Sequence, residues 1–310
     1  MTEVGGATGE GAYPFPLARD TYRISANVEP ASAPMLHVGA DHADVLALRS
    51  RILDAEPRRF VAAPHAAAAS WDALVWLLDR TAREQDGVSL ERDGLRYRWT
   101  DPRRGVEQEF VFGDASTLPE HPLTFAGRQV EEDVVVLGAR DDRLWLDAGM
   151  VVFASVWSLA FDHGMSFAEL HGPVPSPEVF ARAERFLLRM QPGDAYRRLN
   201  WGLQLDDRPD LSLDAHPAWG PRRARLEVHD VGSEVHLRTE VQHLVRLPMS
   251  GAVLFLIGVR LLPLAEVATV PAWSARLVSV LDTLPEEVRS YKDLGVLGSM
   301  AADWLRRSSA

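Results

Sequence analysis

Between Glu234 and Leu264 the chain reads EVHLRTEVQHLVRLPMSGAVLFLIGVRLLPL, and no other stretch restricts the fold as strongly. At period two, Val235, Leu237, Thr239, Val241, Val245 and Leu247 share one face with His243. Glu234, His236, Arg238, Glu240, Gln242 and Arg246 share the other. The turn Pro248–Gly251 then leads into a nearly continuous apolar run. This pattern predicts a long strand with one charged face, returning as a buried strand. A charged strand face ordinarily meets water. If it is enclosed instead, it has to line a site.

At 310 residues the chain can bury a full core. It carries 33 Lys and Arg against 44 Asp and Glu, a net charge of −11, which argues against nucleic acid or an anionic membrane as the main partner. There are no cysteines, so this chain can supply no disulfide, Cys nucleophile, thiolate haem ligand or Cys-bound iron–sulfur cluster. The longest apolar run, Leu247 to Val259, falls short of the roughly 20 residues of a spanning helix. The Gly-rich, acidic start has no basic-then-apolar signal pattern, and a cytoplasmic location is expected.

Residues 1–34, rich in Gly, Pro and Ala, read as a flexible lead to a single α+β domain over 35–310. Helices are expected at Asp41–Ala55, capped by Asp41, and at Trp71–Arg83, capped by Ser70. Ser89–Trp99 alternates around Asp93-Gly94, a hairpin signal. Glu107–Phe112 reads as a strand, and Val134–Ala139 with Arg143–Asp147 as a second hairpin. Val151–Trp157 fits a strand or the start of a buried helix, and residues 160–176 read as irregular. A helix at Pro177–Met190, capped by Ser176, is followed by a loop that holds Asn200-Trp201 and runs to Pro221. Strands are expected at Ala224–Val228, Val235–Leu247 and Ala252–Leu262, then helices at Ala272–Leu281, Pro285–Tyr291 and Gly298–Arg306. Helices segregated from an antiparallel sheet give an α+β fold with the Val235–Leu262 hairpin at its centre.

No nucleophile elbow, P-loop, dinucleotide fingerprint or His-Glu-x-x-His motif is present. His229, His236 and His243 are spaced by odd offsets, so on a strand successive rings diverge. Two constellations remain. In His171-Gly-Pro-Val-Pro175, two prolines fix the backbone and Gly172 permits close approach, so His171 could offer one ring nitrogen to a metal. The ordinary alternative is a surface histidine in a tight turn. The second constellation is Arg238, Glu240, Gln242 and Arg246. As a pattern alone it favours a solvated face. The alternative is a cleft whose arginines grip carboxylates.

Several segments, in order, resemble the haem-dependent oxidative N-demethylase α-subunit family. Leu237–Pro248 resembles its LRxERQTLxRLP segment, and the following GAVLFLI resembles the continuation. His171–Pro175 is similar to IHxPVP, Asn200-Trp201 to NW, Val152–Trp157 to vcFpSxW, Glu132-Asp133 to ED and Tyr291-Lys292 to YK. The resemblance implies a PAS-like α+β fold holding haem b, and O2-dependent N-demethylation of a small amine. It also implies electrons from a separate reductase. The family's ERQ is Glu240-Val241-Gln242 here; the lost arginine falls at Val241, on the core side. His163 stands where the family has a lysine. On this resemblance His171 is the expected iron ligand, with Arg238, Gln242, Arg246, Asn200 and Trp201 binding the cofactor. Glu240 is expected to hold the cationic amine, and His163 to serve as a second ligand, a distal acid or neither. A haem- or small-molecule-binding sensor, or a haem tailoring enzyme of secondary metabolism, remain as alternative functions. A homo-oligomer is compatible with all of them.

Overall fold

The computed structural model describes residues 13–223 and 225–308. Ten strands occur among them: β1 (Glu29–Pro30), β2 (Phe60–Ala62), β3 (Ser89–Asp93), β4 (Arg96–Asp101), β5 (Val106–Val111), β6 (Asp133–Arg140), β7 (Arg143–Met150), β8 (Ala195–Leu205), β9 (Val235–Arg246) and β10 (Val253–Pro263). Seven form an antiparallel sheet in the order β1-β8-β9-β10-β6-β7-β2, and β3-β4-β5 form a separate three-stranded sheet. The β9–β10 hairpin is the centre of the large sheet, as the period-two pattern requires. With twelve α-helical segments around the two sheets, the chain is an α+β fold.

The register assigns the two faces. Val245 lies opposite Leu254 and Leu237 opposite Leu262, so the odd side of β9 continues across the sheet. On that side Val134, Val136, Val245, Leu254 and Leu256 pack in one apolar cluster with Leu74 and Leu77 of helix Ala67–Glu84. Further along the same face, Leu203, Val235 and Leu237 pack with Leu277 and Leu305 of the C-terminal helices. The even side carries Arg238, Glu240, Gln242 and Leu244. It is not solvated: all four are buried. Helix Pro177–Arg189 covers its apolar end, where Leu187 packs in one cluster with Val135, Leu137, Leu146 and Leu244.

Several local expectations are corrected. Asn200-Trp201 lies in a strand, β8, which pairs with β9 over eleven residues from Ala195–Val245 to Leu205–Val235. From Arg198 onward β8 does alternate, but the sequence Asn-Trp-Gly at its middle has the composition of a turn. Of the strand expected at Ala224–Val228, Ala224 lies outside the described residues, and the rest runs through a turn into the 3-10 turn Val228–Asp230. The place beside β9 that it would have taken is filled by β8. Val151–Trp157 is neither strand nor helix. Residues 160–176 are not wholly irregular, since Leu159–Asp162 and Phe167–Leu170 each make one helical turn. None of the three expected caps forms. Asp41 and Ser176 make no side-chain capping bond, and Ser70 lies inside its helix with Oγ bonded to the Ala66 carbonyl. Of the expected lead at residues 1–34, residues 1–12 lie outside the described residues. Tyr13 donates its hydroxyl to the Leu237 carbonyl at 2.6 Å, Leu17 is buried, and β1 pairs with β8.

Buried ion pairs hold the irregular Val151–Trp157 segment against the sheet. Asp133 accepts from the backbone N–H of Val152 and of Phe153, both at 2.8 Å, and pairs with Arg49 Nη1 at 2.7 Å. Arg49 Nη2 also donates to the Glu132 carbonyl. Arg59 makes a two-pronged contact to Asp210 at 3.2 and 2.8 Å. Removing one partner from such a pair strands a charge in the interior. Arg49→Ala should therefore lower unfolding free energy by about 3–5 kcal/mol in denaturant titration, whereas joint replacement of Arg49 and Asp133 by apolar residues should cost less.

Candidate functional site

The even face of the sheet, helix Pro177–Arg189 and the stretch Pro16–Glu29 enclose a cavity of about 1290 Å³. That exceeds the roughly 300–1,000 Å³ of an ordinary small-molecule site and leaves room for a large group and a small one together. The cavity has two chemically different ends. Val135, Leu137, Phe255, Phe180 and Phe186 line an apolar end. Arg198, Asn200, Glu240, Gln242 and Lys292 line a polar end.

His171 stands among the lining residues. The turn Phe167–Leu170 presents it, and that turn is fixed by a reciprocal capping box between Ser166 and Glu169. Gly172 follows because the backbone is tight: a Cβ there would stand 3.2 Å from the Glu169 carbonyl oxygen. The imidazole is sandwiched between Phe167 and Phe180, with ring centroids 4.2 and 4.4 Å away. Nδ1 lies 2.7 Å from the Phe167 carbonyl oxygen. A carbonyl only accepts, so Nδ1 carries the proton and Nε2 keeps the lone pair. Burial lowers the pKa of the ring, against the opposing pull of that hydrogen bond, so the neutral form is favoured. A neutral histidine whose other nitrogen is tied to a backbone carbonyl is the arrangement used for an axial metal ligand.

At the polar end Glu240 is the hub. Its Oε1 accepts from Arg238 Nε at 3.1 Å, and its Oε2 accepts from Asn200 Nδ2 at 3.1 Å and Gln242 Nε2 at 2.9 Å. Burial would raise its pKa, but the Arg238 charge and the Asn200 and Arg238 bonds outweigh this and hold the carboxyl below its ordinary range. Because a carboxylate only accepts, the Gln242 amide must turn its nitrogen to Glu240. Its Oε1 is left buried with no partner among the described residues. Arg238 spends its other donors on the Phe153 carbonyl (2.6 Å), the Pro209 carbonyl (2.8 Å) and Gln204 Oε1 (3.1 Å). It therefore acts as a clamp between segments, with four of its five N–H donors used inside the protein. Lys292 donates to the Trp201 carbonyl at 2.7 Å and to Asn200 Oδ1 at 3.3 Å, covering the edge of β8.

The structure thus brings together His171, Asn200, Arg238, Glu240 and Gln242 around one cavity. Trp201 touches the cavity, but its ring belongs to the apolar cluster under the C-terminal helices. Arg246 and His163 are not among the lining residues. Arg246 is half-buried beside the Pro248 turn, and His163 Nε2 lies 3.3 Å from the Asp147 carbonyl oxygen. Arg198 and Lys292 were missed as site residues by sequence reasoning. The available signal was the alternation Arg198, Asn200, Gln204 along β8, which places those side chains opposite Gln242, Glu240 and His236.

These features define an α+β protein with a large cavity, apolar at one end and charged at the other, and a neutral, backbone-tied histidine among its lining residues. Among the described residues no cluster of three or more His, Asp or Glu could hold a metal ion. A family model described as haem-dependent oxidative N-demethylase, alpha subunit-like, matches residues 29–302. The chain belongs to that family. No helix among the described residues is long and apolar enough to cross a membrane.

Lys292 is the only lysine in the chain, so its titration can be isolated. Burial lowers its pKa from 10.5 to about 8, opposed by the Glu240 charge. Between these values the unfolded chain holds a proton that the folded protein has released, so the residue's contribution to stability should rise with pH across that window. Carbon-13 NMR of the reductively methylated side chain should give a midpoint near 8. The stability of the wild type relative to Lys292→Met should increase from pH 8 to pH 10.5.

Proposed function

We propose that the cavity holds haem b, that His171 Nε2 would hold its iron, and that the chain oxidises a methylated amine at that site. The observation that carries this reading is the His171 tautomer, set by the Phe167 carbonyl, in a cavity with an apolar end flanked by phenylalanines. The apolar end suits a flat macrocycle, and the family to which the chain belongs is haem-dependent by its description. A PAS-like character of the sheet belongs to the same proposal.

Bound haem supplies O2 activation, which the side chains around the cavity cannot provide themselves. The balanced reaction takes a dimethylamine, O2, two electrons and two protons to a monomethylamine, formaldehyde and water. The two electrons come from a separate reductase, since this chain has no cysteine to hold an iron–sulfur relay. The chain's own residues bind and orient the substrate. Gln242 Oε1, directed away from Glu240 and unpartnered, is the acceptor for the amine N–H. Glu240 acts as a positioning residue, because Arg238 already balances its charge and its oxygens are taken by three donors.

Two measurements test this. Protein made with haem precursor should show a Soret band that His171→Ala loses or shifts. An unchanged band in the variant contradicts the ligand assignment, and no band in the wild type contradicts the haem reading. Gln242→Met should keep its haem but raise the KM for dimethylamine about tenfold, the cost of one lost hydrogen bond in a buried site, with kcat less affected.

A further inference from the structure

Arg198 extends from β8 onto the cavity face, opposite Gln242 in register. Its Nε is sealed from solvent and has no hydrogen-bond partner, and it forms no ion pair among the described residues. The fully buried arginines Arg49, Arg59 and Arg238 are each matched by a carboxylate: Asp133 at 2.7 Å, Asp210 at 2.8 Å and Glu240 at 3.1 Å. Glu240 is the nearest charge opposing Arg198 but does not bond it, and a sealed guanidinium N–H without an acceptor is unfavourable, so one directed into a cavity calls for an anionic ligand.

The charge balance around it points the same way. At the polar end, Arg198, Arg238 and Lys292 face one buried acid, Glu240, with Asp293 exposed at the rim. Over the whole cavity seven lining side chains are cationic and four anionic, although the chain as a whole carries −11. Arg19, Arg23 and Arg182 lie exposed at the rim and Arg197 pairs with Glu29, so the surplus inside the cavity is that of Arg198, Arg238 and Lys292 over Glu240. Lys292 spends two of its three N–H donors on Asn200 and Trp201, and so keeps one for a ligand. A surplus of two positive charges next to an apolar compartment fits a flat apolar group with carboxylates at one edge.

We infer that Arg198, with Lys292 beside it, forms a carboxylate-binding site at the polar end of the cavity, and that the carboxylates it receives are the propionates of the prosthetic group. This rests on the haem reading above. The same chemistry would accept a carboxylate carried by the amine substrate, so the test separates the two sources.

The full chain, as wild type, Arg198→Lys and Arg198→Met, is titrated with haem b and with haem dimethyl ester, whose propionates are blocked, and the Soret band is followed. Arg198→Met should weaken haem b binding by roughly tenfold to a hundredfold, as expected for lost charge-assisted hydrogen bonds, and leave dimethyl ester binding unchanged. Arg198→Lys should fall between. If haem b binding is unchanged but the variant loses the spectral response to N,N-dimethylglycine while keeping that to dimethylamine, the site takes a substrate carboxylate and the inference holds in that form. Equal weakening for haem b and its ester would mean a structural role and would overturn it. No change with any of these probes would also overturn it, with the haem reading left standing. A wild-type protein that takes up neither haem nor ester removes both together.

Discussion

The ion pair between Arg238 and Glu240 is the constraint on which the site depends. It lies on β9, one strand of the hairpin at the centre of the large sheet, and both side chains are buried. Two charges so placed persist only when their remaining donors and acceptors are satisfied. Arg238 therefore reaches the Phe153 and Pro209 carbonyls and Gln204, tying the irregular segment after β7 and the loop after β8 to β9. Glu240 collects Asn200 and Gln242 and sets the direction of the Gln242 amide. The pair contributes organisation more than net stability: it decides which polar atoms of the cavity are used up internally and which are left to a ligand.

What is left over is informative. Gln242 Oε1 remains as an acceptor, Arg198 as a cation and His171 Nε2 as a lone pair. These three differ in chemistry, and one cavity holds them with an apolar compartment between the sheet and helix Pro177–Arg189. On the function proposed above, these would serve as an acceptor for an amine, a cation for a carboxylate and a nitrogen for a metal, in a cavity large enough for a cofactor and a small substrate.

Much of this was legible in the sequence, and the failures have physical causes. Period two along β9 assigns its faces, because side-chain direction in a strand is a local property. His171 was legible because the adjacent glycine and prolines constrain its backbone. The fate of the charged face was not, since what covers it, residues 16–29 and 177–189, is distant in sequence, and burial depends on tertiary packing. The partners Arg238 takes within the protein come from β8 and from segments far along the chain that no local pattern connects. Arg198 was missed because Asn200-Trp201-Gly202 has turn-like composition, and pairing with β9 overrides that preference.

The most direct measurement is a crystal structure of the haem-reconstituted protein. The account predicts iron bonded to His171 Nε2, with the macrocycle between Phe180 and the β6–β10 face and its propionates at Arg198 and Lys292. Haem ligated by another residue, or seated outside this cavity, would contradict it.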